Sequence, residues 1–101
     1  MDHYIDDTIL INKRQSRKNF RKSILEQWDN LCAYCGNKGC TLDHIKPKSK
    51  GGQHVAHNVC CACAACNGRK SSLDWVSWFR LQEFWDPERE GTLWIWIHQN
   101  D

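Results

Sequence analysis

The residues of this chain whose types and spacing could do chemistry are its cysteines and the Asp, His and Asn side chains between them. Cys32 and Cys35 form one C-x2-C pair, and two overlapping pairs follow, Cys60/Cys63 and Cys63/Cys66. A C-x2-C turn aims two thiolates at one centre, and two such turns complete the tetrahedral shell of Zn2+ with no open position. A closed thiolate site is structural: it fastens an early turn to a later segment, and many small domains fold only with it. Spacing alone leaves open which later pair joins Cys32 and Cys35. Cysteines outside the site are expected as small buried hydrophobes, Cys40 and Cys61 among them. Between the pairs lie Asp43 and His44, adjacent in sequence, then Asn58, with Asn67 directly after Cys66. A carboxylate suits a hard divalent cation, and a neutral imidazole can take a proton near pH 7. An isolated Asp-His dipeptide says little; its setting has to decide.

Those side chains need elements to hold them. From Ser16 to about Asn30 the pattern is helical, with Phe20, Ile24 and Trp28 on one apolar face and Asn30 as the stop. Residues 1–15 are expected as an irregular arm. Residues 32–40 hold two Gly and an Asn and predict turns. Thr41 to Ile45 predicts a strand, which sends Asp43 and His44 to opposite faces. Pro47 through Gly52 is a loop, Val55 to Cys61 the returning strand, and residues 62–70 begin a short helix. Ser71 to Asp74 fits a capping box, opening a helix that carries Trp75, Trp78, Phe79, Gln82 and Trp85 until Pro87 stops it. The tail around Leu93–Ile97 fits strand or helix. The tryptophans are expected chiefly as core.

Length and composition bound the rest. A chain of 101 residues has room for one core. Apolar residues are 41% and charged residues 26%, ordinary for a folded domain. The acidic start MDHYIDD lacks the basic region of a secretory leader, and no apolar run reaches the length of a membrane span. The expectation is a cytoplasmic protein without a membrane partner, in which seven cysteines serve as metal ligands or free thiols. The net charge of +2 hides an asymmetry. Residues 1–50 hold ten basic and six acidic side chains, with Lys13, Arg14, Arg17, Lys18, Arg21 and Lys22 in one run and Lys46, Lys48 and Lys50 in another. Such clusters suit a polyanion.

The whole string decides what the Asp-His pair means. Asp43, His44, Pro47, Gly51, Gly52, Asn58, Cys63, Cys66, Asn67 and Lys70 follow one another in that order, after Cys32 and Cys35. Over residues 32–70 the chain resembles the zinc-bearing branch of the HNH endonucleases, whose pattern runs C-x2-C, D-H-I-x-P, G-G, N and C-x2-C-N-x2-K. The resemblance selects Cys63/Cys66 as the second zinc pair. It implies an α+β fold: a small single domain with a ββα-metal core, a four-cysteine structural zinc site and flanking helices. It also implies roles. His44 is the general base, Asp43 and Asn67 hold a catalytic Mg2+ or Mn2+, and Asn58 braces the loop between the strands and helps orient the base. Lys70 is a phosphate contact. His54 is a further possible site residue, near the scissile phosphate or a metal.

The expected organisation is therefore an arm over 1–15, a nuclease domain over 16–86 with its motif core at 32–70, and a tail over 87–101 packed on that domain. The expected function is metal-dependent hydrolysis of DNA phosphodiester bonds, in a phage or bacterial setting. Lys46, Lys48, Arg17, Lys18 and Arg21 would contact phosphates, which positions a duplex without reading its sequence. The partner beyond DNA would be a second copy, giving double-strand cutting in place of nicking, or a DNA-processing complex. A zinc-ribbon nucleic-acid binder without catalysis is the competing reading; it shares the cysteines and the basic clusters but has no need of Asp43, His44 and Asn67 together. A thiol redox protein is disfavoured by two pairs at zinc spacing.

Overall fold

The computed structural model describes residues 5–99, with side chains from residue 14 onward. Helix α1 spans Ile5–Gln27. The irregular arm expected over residues 1–15 is thus not found over residues 5–15; residues 1–4 lie outside the described residues. No Gly or Pro interrupts positions 1–30, Asp6 and Asp7 stand at the helix's N-terminal end, and extending a nucleated helix costs little. Asp29 and Asn30 follow α1 in the left-handed region, at φ 54° and 56°. Asx residues tolerate that region, and the chain turns there.

Residues 31–40 form a tight knuckle. The Cys32 amide donates to Asn37 O at 2.6 Å and the Gly36 amide to Cys32 O at 3.0 Å. Strands β1 (Thr41–His44) and β2 (Val59–Ala62) then pair antiparallel, with Leu42 opposite Cys61 and Asp43 opposite Cys60. The returning strand is shorter than the sequence suggested, because Ala56–Asn58 forms a 3-10 turn instead. Another such turn, Lys48–Lys50, sits in the inter-strand loop. Gly52 permits that loop to close: a Cβ there would lie 1.8 Å from Lys46 O.

Helix α2 (Ala64–Lys70) follows β2 with Cys63 as its N-cap. Together β1, β2 and α2 make the expected ββα unit of an α+β fold. The next boundaries differ from the expectation. Ser71 is the C-cap of α2 at φ 48°, and the cap of α3 (Trp75–Arg80) is Asp74, whose carboxylate accepts from the Ser77 amide at 3.1 Å. Asp is a stronger cap than a serine held in the left-handed region. Pro87 does not stop that helix; it opens the next, α4 (Pro87–Ile97). A proline in the first helical turn loses no hydrogen bond there. The ambiguous tail is therefore helix.

The core lies between the hairpin and helices α3 and α4. Tyr34, Val59, Cys60, Phe79 and Leu93 are fully buried. Trp75 and Trp78 belong to it as expected, whereas Trp85 and Trp94 remain about two-fifths exposed, at 39% and 40%. Their indole N–H groups donate to the Glu90 carboxylate at 2.9 and 3.1 Å, beside two bonds from Arg80. No described helix is long and apolar enough to cross a membrane.

Candidate metal centre and active site

The thiol groups of Cys32, Cys35, Cys63 and Cys66 converge, all four Sγ atoms lying within 4.8 Å of one another. Cys35 Sγ and Cys63 Sγ are 3.7 Å apart. A tetrahedral ion with Zn–S bonds of about 2.3 Å needs sulfur pairs about 3.8 Å apart, so the cluster fits zinc. In each pair the second cysteine's amide donates to the first cysteine's sulfur, Cys35 to Cys32 at 3.5 Å and Cys66 to Cys63 at 3.4 Å. At Cys63, against burial, the bond from the Cys66 amide helps lower the thiol's pKa, toward the form a metal takes. Cys60 is a buried hydrophobe, as expected, and burial pushes its thiol well up. Cys61 is also buried, with a thiol pushed up to about 11 by burial and neighbouring thiols. Cys40 departs from the expectation: it is exposed, and its carbonyl accepts from Arg21 of α1.

On β1, Asp43 and His44 do take opposite faces. Asp43 faces α2 and is 4% exposed. Its Oδ2 accepts from the Tyr34 hydroxyl and lies 3.2 Å from Lys70 Nζ, while Oδ1 is 3.3 Å from the same ammonium. Burial pushes the Asp43 carboxyl up, against the pull of Lys70 and Tyr34. Lys70 is itself completely buried and also donates to His44 O at 2.9 Å. Its expected role as a phosphate contact is therefore not supported by its position: the ammonium is enclosed between β1 and α2 as the partner of Asp43. Asn67, one turn earlier on α2, donates its amide to Thr41 Oγ1 at 3.1 Å and Leu42 O at 3.0 Å.

His44 lies on the other face, toward α1. Its Nε2 is 2.9 Å from Nδ1 of His54, and the Phe20 ring of α1 packs on His54 with centroids 4.8 Å apart. Burial first, then Lys48, His54 and Lys70, hold the His44 imidazole below its usual pKa. The Asn58 side chain accepts from the Lys46 amide at 2.9 Å and donates to Lys46 O at 3.1 Å and Gln53 O at 2.9 Å, which ties the two ends of the loop. Lys46, Lys48, Lys50 and the α1 side chains Arg14, Arg17, Lys18, Arg21 and Lys22 are all exposed. Lys13 lies outside the residues whose side chains are described.

Two participants escaped sequence reasoning. Tyr34 sits inside the first C-x2-C pair, where nothing in spacing marks it; burial pushes its hydroxyl well up, so it remains a donor to Asp43. Phe20 looked like one more apolar face residue.

The four cysteines fasten a small ββα unit whose first strand carries Asp43 and His44. Residues 32–73 match the family model described as HNH endonuclease, and this stretch holds the four-cysteine cluster and the Asp-His pair. No curated protein matches the chain.

Proposed function

We propose that the protein is a metal-dependent endonuclease hydrolysing DNA phosphodiester bonds. The observation that carries this is the coincidence of the HNH match over residues 32–73 with a half-buried imidazole held neutral near pH 7. A neutral His44 can accept a proton from water as the water attacks phosphorus, a contribution of about 10² to 10⁴ in rate. Asp43 and Asn67 carry the kind of oxygen ligands that a hard divalent ion takes, a carboxylate and an amide oxygen; Oδ1 of Asp43 is engaged by Lys70 and Oδ2 by Tyr34. Mg2+ or Mn2+ there would neutralise charge on the phosphate and its leaving 3′ oxygen. Lys70 shares the Asp43 carboxylate, which would weaken the protein's own hold on such an ion. Asn58 fixes the ends of the loop that carries Lys46 and Lys48. Those lysines, with Arg17, Lys18 and Arg21, form an exposed basic surface for the phosphate backbone. A second copy of the chain would convert nicking into double-strand cutting.

The test incubates zinc-loaded protein with supercoiled plasmid and Mg2+ or Mn2+, beside His44→Ala. Cleavage by the wild type that vanishes in the variant upholds the proposal. Equal activity in both removes His44 as the base. Salt-sensitive DNA binding without cleavage turns the reading to a zinc-ribbon binder.

A further inference from the structure

His54 comes from the loop that Gly52 closes, and its place is defined from two sides. The preceding residue is tied down by the Asn58 side chain, which donates to Gln53 O at 2.9 Å. Phe20 of α1 packs on the imidazole itself, at 4.8 Å and 50° between ring planes. The ring so held puts Nδ1 2.9 Å from His44 Nε2, hydrogen-bond distance for two imidazoles sharing one proton.

Only one placement of that proton leaves His44 a base. If His54 Nδ1 carries it, the lone pair of His44 Nε2 is consumed and the remaining proton of neutral His44 sits on Nδ1. If His44 Nε2 carries it, Nδ1 is bare and able to accept a proton from water. The second arrangement also places both rings in the Nε2–H form, the commoner tautomer of a free histidine side chain. We infer that His54 is a positioning residue for His44: its Nδ1 accepts from His44 Nε2–H and fixes the tautomer, and Phe20 of the basic helix holds it there. The catalytic consequence rests on the proposed nuclease reading; the hydrogen bond does not.

In that reaction the water's proton goes to His44 Nδ1 and its oxygen bonds phosphorus. The bond from phosphorus to O3′ breaks, and O3′ takes a proton from solvent. The imidazolium formed at His44 keeps its Nε2–H bonded to neutral His54, now as the stronger, charge-assisted kind of bond. The logic is that of a third group orienting a base, with a histidine in the place a carboxylate often takes. Phe20 gives the arrangement a further property. The helix that presents Arg17, Lys18 and Arg21 to a polyanion also supports the ring that orients the base, so a displacement of α1 is felt at His44.

Two variants separate hydrogen bonding from packing. His54→Phe keeps a ring against Phe20 and removes Nδ1. His54→Asn offers an amide oxygen near the position of Nδ1. Nitrogen-15 NMR of the zinc-loaded protein at pH 8, without DNA, reads the His44 tautomer. The expected result is Nε2–H in the wild type and in His54→Asn, and a mixture of tautomers in His54→Phe. In plasmid cleavage His54→Phe should lose about 100-fold in kcat, the scale of a misoriented catalytic group, with KM for DNA little changed, and His54→Asn should recover most of it. A wild-type His44 protonated on Nδ1, a tautomer unchanged in His54→Phe, or an unchanged kcat in His54→Phe overturns the inference. A plasmid left intact by the wild type, with a His44 tautomer that responds to His54→Phe as expected, upholds the hydrogen bond and overturns the nuclease reading instead.

Discussion

Replacing Lys70 with Met tests whether the enclosed ion pair holds β1 to α2. Met approximates the length of the lysine stem but leaves the Asp43 carboxylate buried with Tyr34 as its remaining partner. Both members of the pair are nearly inaccessible, at 0% and 4% side-chain exposure, so solvent cannot take over from the missing ammonium. Breaking one side of such a pair costs about 3–5 kcal/mol, chiefly the penalty of the stranded charge. For a domain of this size about 3 kcal/mol corresponds to a fall of about 12–24 °C in Tm. The pH dependence has a definite sign. Without Lys70 the Asp43 carboxyl, already raised by burial, rises further above its unfolded value. The variant should therefore be closest to wild type at or below the ordinary Asp pKa of about 3.9 and lose ground as pH rises through the folded value. Adding Asp43→Asn removes the stranded charge and should recover at least half of the loss, a coupling of about 2 kcal/mol. Tryptophan fluorescence during urea unfolding, with zinc present throughout, measures all of these. A loss below about 1 kcal/mol at pH 8, or a double variant no better than Lys70→Met, would refute the argument. On the proposed nuclease reading, Asp43→Ala would remove a metal ligand and also strand Lys70, so only variants matched for stability report on the ion.

Other expectations follow from single features. Chelation should unfold the domain and release one zinc per chain, measured by a colorimetric dye alongside circular dichroism, and Cys63→Ser should bind no zinc whereas Cys40→Ser binds it normally. Gly52→Ala should displace the loop and lower cleavage at least tenfold, a loss on the scale of a misplaced catalytic group, because its Cβ would lie 1.8 Å from Lys46 O; full activity in that variant removes the loop from the site. The Glu90 carboxyl is pushed down to about 2, first by its hydrogen bonds with Arg80 and then by those from Trp85 and Trp94, so its contribution is complete above about pH 4.5 and is lost as pH falls toward 2. Glu90→Gln should accordingly flatten the acid limb of a stability profile measured between those values. Arg17→Ala or Lys18→Ala should each reduce the salt slope of DNA binding by about one unit, as loss of one phosphate contact does; an unchanged slope would take α1 off the DNA.

What the sequence could disclose tracks how local each determinant is. The four clustered cysteines lie on two short turns; C-x2-C spacing marks the first pair, and the family resemblance is needed to choose Cys63/Cys66 over Cys60/Cys63. The Asp-His pair sits on a strand, where alternation alone sends the two side chains apart, and they do take opposite faces. Helix boundaries near Ser71 and Pro87 were misplaced because two local signals compete at each: Ser71 fits a cap pattern but is needed in the left-handed region to end α2, and Pro87 both ends and begins helices. The onset of α1 at Ile5 depends on cooperative extension, which no motif announces. Lys70 looked like a surface cation because lysine is rarely buried; only the tertiary approach of α2 to β1 encloses it beside Asp43. Tyr34 and Phe20 belong to the site through contacts distant in sequence, which no spacing encodes.

Tyr34 ties three parts of the molecule together from between the ligands Cys32 and Cys35. Its hydroxyl is bound to Asp43, its carbonyl accepts from Arg89 of α4 at 2.9 Å, and its ring meets Trp78 and Phe79 edge-on at 5.2 and 5.5 Å. The first zinc knuckle therefore cannot spring open as a surface loop would; spreading its thiolates means pulling this ring out of the core and unseating the last helix. Zinc held by these four thiols would consequently leave on the clock of global unfolding. The rate at which a labelled isotope exchanges into the folded chain then becomes a direct gauge of how long one native molecule lasts before it opens.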